Sequence, residues 1–261
     1  MSAGILSLKN KDIWVIGGAG YLGQPAVKLL AAAGARVLCG DLENKAAAFV
    51  EAAGLSSSVT PLTVDVRDER SIKDFVSAQI KERGVPQGLV NFTYASTAKK
   101  MEELTGEEFD AVNHGNLTAT FLLTREVGTQ MAAAGNGSIV LFSSMYGMVS
   151  PDPKPYEGTA MNKNPVEYGV GKAGIIQMTR YLAVHWGRNN VRCNCISPGP
   201  FPGPAVQQKH PEFVARLVQK VPMGRLGRQE EIAGTVAFLV SDASSFLTGQ
   251  NIAVDGGWTS W

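Results

Sequence analysis

Seven short, apolar, β-prone runs alternate along the chain with longer amphipathic stretches, and this alternation restricts the fold more than any other feature. The runs fall at 13–16, 36–39, 59–64, 88–91, 138–142, 192–196 and 251–254, and the helix-like stretches at 24–33, 71–84, 105–131, 166–188, 211–220 and 229–241. A strand reaches a parallel neighbour only through a crossover long enough to hold a helix, so strands separated by helices pair in parallel. Parallel strands are buried on both faces, and the helices supply the cover. The pattern predicts an α/β fold with a doubly wound, seven-stranded, mainly parallel sheet carrying helices on both faces.

With 261 residues, 44% of them hydrophobic, the chain can bury a full core, and no repeat, low-complexity tract or linker divides it. One domain over 1–261 is expected. The irregular stretch at about 145–167, with Pro151, Asp152, Pro153, Lys154, Pro155, Glu157 and Pro165, reads as a long loop. Twenty-four Lys and Arg against 23 Asp and Glu leave a formal charge of +1, so no global field draws the chain to nucleic acid or an anionic membrane. Cys39, Cys193 and Cys195 form no disulfide framework and lack zinc-site spacing. His114, His185 and His210 have no ligand spacing either, and no metal site is predicted. No apolar run approaches the roughly 18 residues that span a bilayer, and no targeting segment precedes residue 12, so a cytoplasmic protein is expected.

Gly17-Gly18-Ala19-Gly20-Tyr21-Leu22-Gly23 follows an apolar strand and opens a helix, which sets backbone amides and a helix N-terminus where a pyrophosphate can sit. The next strand ends at Asp41, about twenty residues on, where an acid hydrogen-bonds the adenosine ribose. A 2′-phosphate there would meet like charge, and neither Gly20 nor Leu42 offers a compensating base, so NAD is expected over NADP. Asp65, at the end of the third run, is a candidate acceptor for the adenine amino group.

Tyr168 and Lys172 stand at i and i+4, on one face of a helix and within side-chain reach. A neighbouring ammonium favours the phenolate, so the pair can take or return a hydroxyl proton. The strand 138–142 ends in Ser143 and Ser144, at the carboxyl edge where doubly wound sheets bind ligands.

On these motifs the chain resembles the short-chain dehydrogenases/reductases, in their short single-domain branch, from Lys9 to the C-terminus. The resemblance implies a Rossmann-type domain in which Ser144 holds the substrate oxygen and Tyr168 is the acid/base. Lys172 would bind the nicotinamide ribose and lower the Tyr168 pKa, and Asn116 would hold a water in the proton relay. It implies cofactor contacts from Gly17, Gly20, Tyr21, Leu22, Gly23, Asp41, Leu42, Asp65, Val66, Asn91, Tyr168, Lys172, Pro198 and Gly199. It further implies a homotetramer or homodimer and hydride transfer between a carbinol carbon and the nicotinamide.

Several segments depart from the family pattern. Ile16 stands for the usual threonine, and Tyr21 for the middle glycine, which leaves the close approach to Gly20. Asn91-Phe92-Thr93-Tyr94 brings bulk to a wall normally lined by small residues, and Pro198-Gly199 runs into Pro200-Phe201 without the familiar threonine. The stretch between Ser144 and Tyr168 carries an insertion whose Tyr146, Tyr156, Glu157, Thr159 and Asn162 could meet substrate hydroxyls, which points to a polar, carbohydrate-like substrate. A weaker resemblance links this loop and the closing Asp255–Trp261 segment to members acting in bacterial surface-sugar and flagellin-glycan biosynthesis. Lys99 and Lys100 are candidates to meet a phosphate or carboxylate, with an exposed basic pair as the simpler reading. The alternatives are a 3-oxoacyl-thioester reductase, a catalytically silent NAD-binding regulator, and a sugar epimerase or dehydratase.

Overall fold

The computed structural model describes residues 4–261. Seven strands, β1 (Asp12–Ile16), β2 (Arg36–Asp41), β3 (Val59–Thr63), β4 (Gly88–Asn91), β5 (Gly137–Phe142), β6 (Val191–Pro198) and β7 (Asn251–Val254), form one sheet in the order β3-β2-β1-β4-β5-β6-β7. Every pairing is parallel, where the sequence suggested only a mainly parallel sheet. The chain winds outward from β1 to β3 and then resumes on the other side of β1 with β4. The loops after β1 and β4 therefore diverge to opposite faces and leave a crevice at their carboxyl ends.

Period-two alternation sorts the strand residues into two cores. Trp14, Ile16, Leu38, Leu89, Ile139 and Leu141 pack under α3 (Glu69–Arg83), α5 (Ala119–Ala134) and α6 (Val166–Trp186). Ile13, Val15, Val37, Val90, Val140 and Ile196 pack under α1 (Gly23–Ala32), α2 (Lys45–Ala52) and α9 (Gln229–Val240). A third, smaller cluster of Met145, Phe213, Leu217, Val221 and Trp258 lies under α8 (Pro211–Lys220), which follows the short α7 (Pro204–Lys209). No helix among the described residues is long and apolar enough to cross a membrane.

The helix expected at 105–131 is divided. A capping box between Thr105 and Glu108 starts α4 (Gly106–Asn113), a π-helical turn occupies His114–Thr118, and α5 follows. The wide turn carries Asn116, whose side chain is drawn out of helical register to bond the backbone of Ala95. Two helices fall outside the stretches read from periodicity. Helix α2 is built largely of alanine, which forms helix well but gives little apolar-polar contrast, and α7 is a six-residue segment opened by Pro204.

Helices α5 and α6 meet where Gly128 faces Trp186. A Cβ at Gly128 would lie 2.3 Å from Trp186 Cη2 and 2.4 Å from Cζ3. Gly128→Ala gains helix propensity of about 1 kcal/mol at most, but the buried indole cannot retreat without repacking, which costs about 1–3 kcal/mol. The variant is expected to unfold at lower urea concentration than wild type with an unchanged m-value, and a gain in stability would contradict this packing.

Candidate active site

The crevice at the carboxyl ends of the strands is a cleft of about 820 Å³. The turn after β1 forms one wall. Gly17 sits at φ +75°, and a Cβ there would lie 3.1 Å from the Phe92 backbone, so only glycine lets the two loops approach this closely. At Gly23 a Cβ would lie 2.6 Å from the Gly17 carbonyl. The turn closes on itself through Gly20 N–H to Gly17 O (3.2 Å) and Gly23 N–H to Gly20 O (3.0 Å). The amides of Tyr21 and Leu22 have no protein partner among the described residues, and α1 has no acid in its first turn. Bare amides at a helix N-terminus suit an anionic group.

Asp41 lines the cleft beyond this turn and helps to hold it. Its Oδ2 accepts from Ala19 N–H (3.0 Å) and its Oδ1 from Leu42 N–H (2.8 Å), while further lone pairs stay open to a ligand. Asp65 is differently placed from the simple acceptor expected. Arg67 donates to both its oxygens (Nε to Oδ1, 3.0 Å; Nη2 to Oδ2, 2.7 Å), and this hydrogen bonding holds the carboxyl below its usual range. Val66, Arg67 and Lys45 complete this end of the cleft. The two cations went unseen in the sequence because neither lies in the glycine turn nor directly after Asp41.

Ser144, Tyr168 and Lys172 converge at the end of β5. Ser144 is buried, and its Oγ accepts from Tyr146 N–H (3.1 Å), which aims the hydroxyl at the start of a short 3-10 turn. Lys172 Nζ lies 5.6 Å from the Tyr168 ring centroid and donates to the Phe142 carbonyl (2.9 Å). Ser143 Oγ donates to the Lys172 carbonyl (2.7 Å) and pins α6 to the strand end. Burial lowers the Lys172 pKa to about 8. It also pushes the Tyr168 phenol above its ordinary value, with hydrogen bonding to Ser144 in the opposite sense. The expected pull of Lys172 toward phenolate is not what sets the direction in this arrangement: desolvation, with Tyr94 in the same sense, raises the phenol, and the lowering contribution comes from Ser144.

Pro198 and Gly199 lie in the cleft wall with Phe201 and Gly203. Asn91 and Asn116 stand behind the wall. Asn91 Nδ2 donates to Thr120 Oγ1 (3.1 Å), and its Oδ1 accepts from Thr93 N–H (3.2 Å) and Oγ1 (2.8 Å). Asn116 exchanges two bonds with the Ala95 backbone (2.9 and 3.0 Å). Both asparagines thus shape the loop after β4, which bears Tyr94 edge-on to Tyr168 at 6.5 Å. Phe92 stacks on Phe142 at 4.0 Å, so part of its bulk goes into the core. Glu167, fully buried, grips the same loop by accepting from Thr97 N–H (3.1 Å) and Oγ1 (2.7 Å).

The insertion is placed otherwise than its polar residues suggested. Tyr146 and Tyr156 bond each other (2.9 Å), Thr159 Oγ1 donates to the Tyr156 carbonyl (2.9 Å), and Asn162 Nδ2 to the Ala98 carbonyl (3.1 Å). None of these, nor Glu157, lines the cleft, whereas Asn164 does. Lys99 is paired with Glu108 (2.5 Å) and Lys100 lies 4.0 Å from Glu103, and neither reaches the cleft.

Residues 19–259 match a family model described as enoyl-(acyl carrier protein) reductase. The 3-oxoacyl-[acyl-carrier-protein] reductase of Thermotoga maritima is 32% identical over 97% of this chain and 99% of its own length. The NAD-dependent glycerol dehydrogenase of Listeria innocua is 31% identical over 97% of this chain and 95% of its own. The solved structure of gox2181 superposes with a TM-score of 0.90 at 30% identity, covering 100% of both chains. With a matching model over nearly its whole length, relatives of this identity and the same sheet, the chain belongs to the short-chain dehydrogenase/reductase family of oxidoreductases.

Proposed function

We propose that the protein is an NAD-dependent oxidoreductase interconverting a secondary alcohol and a ketone on a polar, carbohydrate-like substrate. The observation that carries this reading is the meeting of Ser144, Tyr168 and Lys172 in the wall of the same cleft as the glycine turn. That cleft suits a dinucleotide: Tyr21 and Leu22 offer bare amides at the turn, Gly17 leaves no room for a side chain, and Asp41 faces the ribose end. Gly17, Gly20, Tyr21, Leu22, Gly23, Asp41, Leu42, Asp65, Val66, Pro198 and Gly199 would hold it, with Lys172 on the nicotinamide ribose and Asn91 acting from behind the wall through the loop after β4. Bound nicotinamide supplies the hydride acceptor or donor.

Ser144 holds the substrate oxygen, and Tyr168 takes the hydroxyl proton in oxidation and returns it in reduction. Lys172, 5.6 Å from the phenol ring, stands where its charge can stabilise the phenolate formed as the proton leaves, while Asn116, tied to Ala95, keeps the wide turn where a water can join the relay. The carboxylate of Asp41 beside the glycine turn, with the similarity to an NAD-dependent glycerol dehydrogenase, favours NAD and a polyol. The resemblance to a 3-oxoacyl-[acyl-carrier-protein] reductase supports a second reading, reduction of a 3-oxoacyl thioester. Three free, buried cysteines accord with a reducing cytoplasm. Exposed Phe121 on α5 with Tyr181 and Val184 on α6 accord with a homo-oligomer.

Tyr168→Phe should lower kcat for alcohol oxidation by about 10²–10⁴-fold, and full turnover in this variant would refute the acid/base assignment. Burial keeps the phenol protonated at neutrality, so raising the pH increases the base form that oxidation needs and depletes the acid form that reduction needs. Because burial sets the phenol above its ordinary value, initial rates followed from about pH 6 to pH 10 should rise for oxidation and stay nearly level for reduction, whose acid form is depleted only near and above the upper end of that range. Asp41→Asn keeps the acceptor toward Ala19 and removes the charge, and in fluorescence titrations it should narrow the preference for NADH over NADPH by about tenfold or more. Tighter binding of NADPH than NADH by wild type would exclude the Asp41 argument.

A further inference from the structure

The charged side chains lining the cleft are unevenly distributed. Asp41, Lys45, Asp65 and Arg67 gather beyond β2 and β3, at the end assigned to adenosine. Strand β2 lies three strand spacings from β5, about 14 Å, so these groups stand well away from Ser144 and Tyr168. Around the reacting end the cleft is lined by Tyr94, Ser96, Asn164 and Phe201, and the one cation there among the described residues, Lys172, is bonded to the Phe142 carbonyl. Cations on neighbouring elements are occupied elsewhere: Lys99 on Glu108 (2.5 Å), Lys220 on Asp152 (2.5 Å), Arg225 on Glu231 (2.7 Å) and Arg216 on the Glu157 carbonyl. Lys163, exposed beside Asn164, does not line the cleft.

An acid or phosphate placed at this end would give up water for no positive neighbour beyond Lys172, which is held at the strand end and assigned to the nicotinamide ribose, whereas a hydroxyl needs only a hydrogen-bonding group. Asn164 supplies one. Its Oδ1 is buried and without a hydrogen-bond partner, and its side chain bonds nothing else among the described residues. Of the buried side-chain atoms without a partner among the described residues, this one belongs to a residue of the cleft wall, so a small turn of the Asn164 carboxamide would bring an unused acceptor to a donor from a ligand.

We propose that the reacting end of the cleft selects uncharged polyols over their acids and phosphates, and that Asn164 is a specificity residue whose carboxamide oxygen accepts from a substrate hydroxyl. This deepens, and rests on, the reading of the site as a dehydrogenase of carbohydrate-like alcohols. The test is steady-state oxidation by the full chain with NAD, on a panel of alditols, the aldonates and alditol phosphates of matching length, and isopropanol. The best alditol should exceed its aldonate and its phosphate by at least about tenfold in kcat/KM. In Asn164→Ala the loss on that alditol should be at least about tenfold greater than the loss on isopropanol and should lie mainly in KM. Asn164→Lys, which places a cation at the same point, should move the preference toward the aldonate.

An aldonate or phosphate used as well as the alditol by wild type overturns the inference while leaving the alcohol dehydrogenase intact. Equal losses on alditol and isopropanol in Asn164→Ala would remove Asn164 as the specificity residue. If no alcohol in the panel is oxidised, the dehydrogenase reading itself fails and the inference fails with it.

Discussion

The arrangement rests on a sheet whose strands are buried on both faces. A parallel strand covered above and below has nowhere to present a functional group except its ends. All strands here run the same way, so every loop that can carry chemistry after a strand emerges along one edge. The glycine turn after β1, Asp41 after β2, Asp65 after β3, Phe92 and Tyr94 after β4, Ser144 after β5 and Gly199 after β6 are far apart in sequence and share one cleft for this reason.

The edge alone does not fix the cleft's shape. Much of that is done by polar residues behind the wall, each of which holds backbone. Asn91, Asn116 and Glu167 all bond the loop after β4, and Ser143 holds the first turns of α6 against the end of β5. Buried polar groups that are bonded, here the two asparagines, Ser143 and the Oε1 of Glu167, specify one arrangement more sharply than apolar contacts do, since misplacing any of them leaves a desolvated group without its bond, as Glu167 Oε2 already is.

Much of this was legible from residue order. The alternation of strand and helix predicts the sheet, and the residues picked out by spacing, Gly17, Gly20, Gly23, Asp41, Ser144, Tyr168 and Lys172, all lie in the cleft wall. What escaped depends on distances that periodicity does not carry. The π-helical turn at Asn116 arises from a bond to a loop some twenty residues earlier (|i−j| = 21), which no local pattern signals. The same holds for the insertion, where Tyr146 and Tyr156 satisfy each other and leave the cleft to Asn164. The direction of the Tyr168 shift escaped for a related reason, since helical spacing reports the neighbouring ammonium but not the depth of burial that raises the phenol.

The small cluster of Met145, Phe213, Leu217, Val221 and Trp258 joins three stretches distant in sequence: the residue after Ser144, helix α8 and the C-terminal turn. Few side chains hold it, against the two large cores of the sheet, and Tyr156 on Phe213 with Asp152 on Lys220 fasten the insertion to it from outside. A satellite of that size opens at a lower free energy than the global one. Wear on one part of the cleft wall is therefore shared: loosening the last turn around Trp258 would release the insertion that carries Asn164, while the sheet and its glycine turn stayed folded.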